Sequence, residues 1–206
     1  MFITGGRAGQ VIFFVMLSIL IFQVLDKKRV RSLVAIMIII PGIFILAYQT
    51  SDLFQKRVDL AAYEVSKFDT DNYNSVGYRI NFNLNSFVLI KKNPIIGVGT
   101  GDFPNEYRKI NQINTPHLPD ATNPHNMYTL VLVQLGLFGL VSMLSIFYYQ
   151  IKLSFKSSSK FLRDVGITMP LMFLVLMLSD SYLLGHYTTL MFVFFSSFLY
   201  KDFEKS

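Results

Sequence analysis

Apolar and polar positions alternate along this chain in long blocks. Apolar runs cover residues 11–25, 33–48, 127–149, 166–183 and 187–200, each near the ~20 residues that a helix needs to cross a hydrocarbon layer. The last two belong to one run too long for a single helix, and Gly185 is the predicted turn between them. The pattern predicts an all-α, polytopic integral membrane protein with five transmembrane helices and one long external loop, residues 49–126. A cleavable leader fits the first run poorly, because its basic cluster follows the apolar stretch instead of preceding it.

The loop has its own pattern. Residues 52–67 read as a short helix. In residues 78–92, YRINFNLNSFVLIKK, helical spacing puts Ile80, Leu84, Phe87 and Val88 on one face, with Arg79, Asn83 and Ser86 on another. That predicts an amphipathic helix lying in the membrane surface, with Lys91 and Lys92 as its interfacial end. A turn-rich stretch, NPIIGVGTGDFP, comes next, with no helix expected directly after it. A Pro/Asn-rich passage then leads to Asn123-Pro124-His125-Asn126 at the mouth of the third predicted span.

Composition agrees with a membrane location: 52% of the 206 residues are hydrophobic and the mean hydropathy is +0.43. The net charge of +6 suggests nucleic acid until the charges are located. Lys27, Lys28, Arg29 and Arg31 separate the first two runs, Lys152, Lys156, Lys160 and Arg163 the third and fourth, and Lys201 and Lys205 lie in the tail. Basic residues in short loops stay on the cytoplasmic side. In the long loop eight basic residues balance eight acidic ones, so the excess reports topology and no nucleic-acid partner is expected. This orientation puts the amino terminus outside with no preceding helix to set it there, and the chain is expected to be the carboxy-terminal part of a longer protein. Cysteine is absent, which removes thiolate nucleophiles and cysteine-ligated metals. Asp102, Glu106 and Asp120 are scattered, so neither a metal nor a cofactor is expected.

The candidate chemistry lies in the loop and at its edges. Gly97, Gly99 and Gly101 satisfy no phosphate-loop pattern and read as a tight external turn that shapes the site. His125 is one of three histidines, and it opens the pattern H-[NSQ]-x9-G-x-x-[GTY] through Asn126, Gly136 and Gly139. With PHNMYTLVLVQLGLFGL around that pattern, the sequence resembles the O-antigen ligase and O-antigen polymerase superfamily of bacterial envelope glycosyltransferases. Two further segments carry the resemblance in the same order. FITGGRA, residues 2–8, is similar to the family's TGSRG/A segment with Gly6 where Ser is usual. Residues 78–103, with Arg79 and then NPIIGVGTGDF, are similar to its R…hPlxGxGxgxF stretch. Gln134 departs from the acidic residue common in the third motif.

The resemblance implies a donor glycan on undecaprenyl diphosphate at the outer face of the bacterial inner membrane, and an acceptor sugar hydroxyl such as lipid A core. Arg7 and Arg79 match the positions expected to bind the diphosphate, for which a guanidinium fork is well shaped, and His125 matches the general base. Gly136 and Gly139 are expected to allow close helix packing. A ligase is the expectation; a repeat-unit polymerase uses the same residues, and a non-enzymatic transporter or flippase component is the alternative of another class. His117 is expected to be solvated, and Asp180 and His186 to cap helices or contact headgroups.

Overall fold

The computed structural model describes residues 7–25, 29–68 and 70–200, with Arg7 described by its backbone alone. They fall into two compact units, divided between Lys67 and Phe68. Every regular element among the described residues is helical.

The first unit holds α1 (Arg7–Val24), α2 (Arg29–Thr50) and α3 (Asp52–Ser66). α2 is long and apolar enough to cross a bilayer. Met37 and Ile38 are 68% and 66% exposed, so α2 is not the core helix of a soluble domain, whose apolar stripe would be covered. α3 realises the helix expected over residues 52–67. The Ser51 hydroxyl caps it by accepting from the Phe54 N–H, Asp52 places negative charge in its first turn, and Phe54 packs edge-on against Phe44 of α2.

The second unit contains α4 (Ser75–Lys92), α5 (Phe103–Asn114), α6 (Met127–Ser154), α7 (Lys160–Leu176), a 3₁₀ turn (Tyr182–Leu184) and α8 (His186–Leu199). α6 and α7 run antiparallel. At one end the Met127 N–H donates to the Met177 carbonyl at 2.9 Å. At the other, Gly166 lies so close to Ser154 that a Cβ on it would sit 2.4 Å from the hydroxyl. The connector bearing Lys156 is therefore at the opposite end of the helix pair from His125. α6 is also long and apolar enough to span; α8, with 14 residues, is shorter.

Three expectations need correction. A helix does follow the glycine-rich turn: α5 buries Phe103, Tyr107, Ile110 and Asn111, a stripe at helical spacing inside a passage whose Pro and Asn content suggested irregular structure. The amphipathic helix exists as α4 and keeps the Leu84 and Phe87 face uncovered, but its other side packs into the protein instead of facing water. Asn81, Phe82, Asn85, Ser86 and Leu89 are buried, while Leu84 and Phe87 are half exposed. The buried polar groups are satisfied within the protein: Asn85 donates to Thr115 at 2.7 Å and to the Tyr107 hydroxyl at 3.3 Å, and Ser86 donates to the Phe82 carbonyl. Burial raises the Tyr107 phenol above its ordinary value, so this network is neutral. Finally, the run 166–183 is not one helix. α7 starts at Lys160 and stops at Leu176, and residues 177–185 form the connection to α8, with Gly185 as the N-cap position. Ser179 donates its hydroxyl to the Leu176 carbonyl and Asp180 accepts from the Ser181 N–H, local bonds that compete with helix continuation.

Candidate functional site

His125 stands at the amino-terminal mouth of α6 in a conformation that its neighbours impose. Proline restricts the preceding residue to extended backbone, and the Asn123 side-chain oxygen then accepts from the His125 N–H at 2.9 Å. His125 adopts φ +52°, the only positive φ of a non-glycine among the described residues, a conformation that side chains adopt at a cost and that clusters at functional sites. The next residue ends the excursion. Asn126 caps α6, accepting from the N–H groups of Tyr128 and Thr129 at 3.0 and 3.2 Å.

The imidazole is fixed on two sides. The Phe82 ring stacks on it, with centroids 6.2 Å apart and 22° between planes. Nδ1 lies 3.1 Å from Oδ1 of Asp180, which also accepts from the Ser181 N–H at 2.8 Å. Both side chains keep about a third of their exposure, 37% for His125 and 36% for Asp180. With the proton on Nδ1 donated to the carboxylate, Nε2 is left as the accepting nitrogen. Asp180 is thus a partner of His125, not the helix cap or headgroup contact expected for it. It lies 55 residues away, and the sequence signal that could have found it is the polar Ser179-Asp180-Ser181 interruption in an apolar run.

Arg79 joins His125 from α4. Both line one cleft of about 340 Å³, together with Ile80, Asn83, Leu84 and Leu178. The guanidinium Nη1 donates to the Ser179 carbonyl at 3.3 Å, which ties Arg79 to the connection that carries Asp180. Asn83, one turn beyond Arg79, ties α4 to α6. Its amide donates to the carbonyls of Arg79 and Pro124 at 2.7 and 3.1 Å, and its oxygen accepts from the Thr129 hydroxyl at 2.7 Å. No motif singles Asn83 out; its place on the same helix face as Arg79 is the only sequence sign. The Arg7 side chain and residues 2–6 of its segment lie outside the described residues.

The glycines lock α6 to the turn that follows α4. At Gly136 (φ +64°, ψ −159°) α6 breaks, in a region that essentially only glycine occupies. A broken helix leaves backbone groups unpaired, which is costly in an apolar setting, and the glycine-rich turn pairs four of them. Val98 and Gly99 donate to the carbonyls of Val133 and Gln134 at 2.8 and 3.0 Å. Leu137 and Phe138 donate to the carbonyls of Pro94 and Ile95 at 2.9 and 3.3 Å. Contact is close enough to exclude any side chain: a Cβ on Gly136 would lie 2.2 Å from the Ile95 oxygen, and one on Gly97 2.4 Å from the Gln134 carbonyl carbon. Gly97 and Gly99 also have positive φ. Gly139 lies under the Leu135 side chain, where a Cβ would meet Leu135 Cβ at 2.2 Å. His117 is tied to Tyr73, whose hydroxyl donates to its carbonyl.

A helical membrane protein, with an arginine and an aspartate-paired histidine facing one cleft at the end of its helix bundle away from the basic connector, is the class this architecture defines. A family model described as O-antigen ligase matches residues 1–144, and the chain belongs to that family, which is associated with glycan ligase and polymerase activity. No curated protein matches the chain. The matched residues include Arg79, His125 and the glycine frame, and end before Asp180.

Proposed function

We propose that the chain carries the reaction centre of an O-antigen ligase, which transfers a glycan from undecaprenyl diphosphate to a sugar hydroxyl such as that of lipid A core. The observation that carries this reading is the shared cleft: Arg79 and His125 line it together, with Asp180 on the far nitrogen of the imidazole. In this reading Nε2 of His125 takes the proton of the acceptor hydroxyl. The hydroxyl oxygen forms its bond to the anomeric carbon as the bond from that carbon to the diphosphate oxygen breaks. The lipid diphosphate leaves with the bonding pair, and Arg79 neutralises the charge as it develops; Arg7 is proposed as a second phosphate contact. Asp180 holds the imidazole in the accepting tautomer and stabilises the cation that forms.

Five spans are proposed, formed by α1, α2, α6, α7 and α8, with residues 49–126 and the site on the periplasmic side of the inner membrane. The separation of the Lys156 connector from His125 along the α6–α7 pair supports this orientation, and the exposed Leu84 and Phe87 of α4 suit contact with the lipid surface.

The test is transfer in proteoliposomes, with purified undecaprenyl-diphosphate glycan as donor and lipid A core or a second lipid-linked repeat unit as acceptor. Wild-type protein should extend lipid A core, and His125→Ala should lower the rate by ~10²–10⁴ as expected for a lost general base. Near-normal turnover by His125→Ala would remove the imidazole from the mechanism. Product only from the second lipid-linked unit would make the protein a polymerase.

A further inference from the structure

The His125–Asp180 pair has a second side. Beyond it lies another cleft, of about 440 Å³, lined by Asn123, Asp180, Tyr182, His186, Tyr187 and Thr188. It contains no arginine or lysine, in contrast to the cleft of Arg79. Its polar atoms are divided between duties. Asn123 uses its side-chain oxygen to accept from the His125 N–H and the Ser181 hydroxyl; the backbone donor identifies that atom as oxygen, so the amide nitrogen is the remaining donor. Among the described residues nothing bonds to it. Asp180 spends Oδ1 on His125 and Ser181, which leaves Oδ2 as an acceptor without a partner among the described residues. A free donor and a free acceptor thus line the same wall, next to a tyrosine ring, that of Tyr187, which is 89% exposed.

We propose that this second cleft binds a neutral sugar ring of the acceptor glycan. Vicinal hydroxyls would pair with the Asn123 amide and the Asp180 carboxylate, each hydroxyl being able to donate and to accept. The apolar C–H face of the ring would lie on Tyr187, an exposed aromatic surface that few other ligands of this polarity could use. A diphosphate is disfavoured here, because the carboxylate repels it and no arginine or lysine compensates. The cleft therefore complements the first one, with the lipid diphosphate beside Arg79, the glycan acceptor beside Asp180, and the imidazole wall between them. Asp180 would sense both substrates, through Oδ1 to the base and through Oδ2 to the acceptor. The assignment rests on the transfer reading given above for the choice of acceptor.

The experiment measures binding and transfer separately, on the full chain in nanodiscs. The binding probe is soluble, dephosphorylated lipid A core oligosaccharide, followed by saturation-transfer NMR, with undecaprenyl-diphosphate glycan titrated in parallel. Tyr187 carries little packing, so Tyr187→Ala should fold normally, and Tyr187→Phe keeps the ring. Tyr187→Ala should weaken oligosaccharide binding and raise the acceptor KM by about tenfold, with donor binding unchanged, a pattern that marks lost ground-state binding. Tyr187→Phe should bind the oligosaccharide as the wild type does. Unchanged oligosaccharide binding by Tyr187→Ala would overturn the assignment and leave Tyr187 as an interface anchor. Weakened donor binding with an unchanged acceptor would overturn it in favour of a donor-glycan site. Binding that depends on Tyr187 in a protein that transfers nothing would retain the sugar cleft and refute the transfer reading. Active transfer without oligosaccharide binding would do the reverse.

Discussion

Replacing Asp180 with Asn tests the pairing that the structure added to the motif residues. The substitution is nearly isosteric, and the amide oxygen can still accept from the Ser181 N–H that Asp180 Oδ1 now accepts at 2.8 Å, so the 177–185 connection should keep its shape. What is lost is a full negative charge 3.1 Å from Nδ1 of His125. At that separation a charge pair is worth ~1 kcal/mol in bulk water and ~5 kcal/mol at an effective dielectric of ~20. Because both groups keep about a third of their exposure, the value belongs in the lower part of that range, about 1–3 kcal/mol. That energy is realised only when the imidazole gains its proton in the transition state, so it should appear in kcat as a loss of ~10–100-fold. Donor KM should change little, because Asp180 does not line the Arg79 cleft. The assay is single-turnover transfer of a labelled glycan in proteoliposomes with donor varied, beside a thermal-unfolding control. Wild-type kcat in a fully folded Asp180→Asn protein would show that the carboxylate does nothing for the base. A loss confined to donor KM would place its action on diphosphate binding instead.

Three other outcomes follow from the geometry. Arg79→Lys should impair transfer markedly and Arg79→Ala should nearly abolish it, since an ammonium cannot reproduce a bidentate fork; equal activity of the lysine variant in the same assay would reduce Arg79 to an interface anchor. Gly136→Ala should destabilise the second unit by about 2–5 kcal/mol, from ~1–3 kcal/mol of backbone strain and a comparable overlap with the Ile95 carbonyl, read as lower thermal stability and yield, and wild-type stability would argue against the interlock. Cysteines introduced at the exposed Ser75 and Ser158 should react with an impermeant thiol reagent in intact spheroplasts at Ser75 only, and the opposite labelling would invert the topology.

How much of this was legible from residues alone depends on the range of the interaction. Hydropathy determined the membrane class and the approximate positions of α1, α2, α6 and α8, because lipid acts on each segment separately. The local pattern marked α3 over residues 52–67, while the Ser51 and Asn126 caps, which reach only two or three residues along the chain, emerged with the structure. The resemblance to the family's motifs marked Arg79, His125 and the glycines. It could not say that Gly97 and Gly99 exist to fit Gly136. That relation is a set of four backbone hydrogen bonds between segments some 35 to 43 residues apart, and backbone groups leave no residue-specific trace. The burial of the other side of α4 was hidden for a related reason. Asn85 looks solvent-facing until Tyr107 and Asn114 of α5 and the following Thr115 supply its partners, and burial of a polar group is favourable only once those partners are in place. The pairing of His125 with Asp180 belongs to tertiary structure alone. It requires the end of α7 to return beside the start of α6, where the Met127–Met177 bond joins them, and a carboxylate in an apolar run carries no mark of which distant imidazole it will meet.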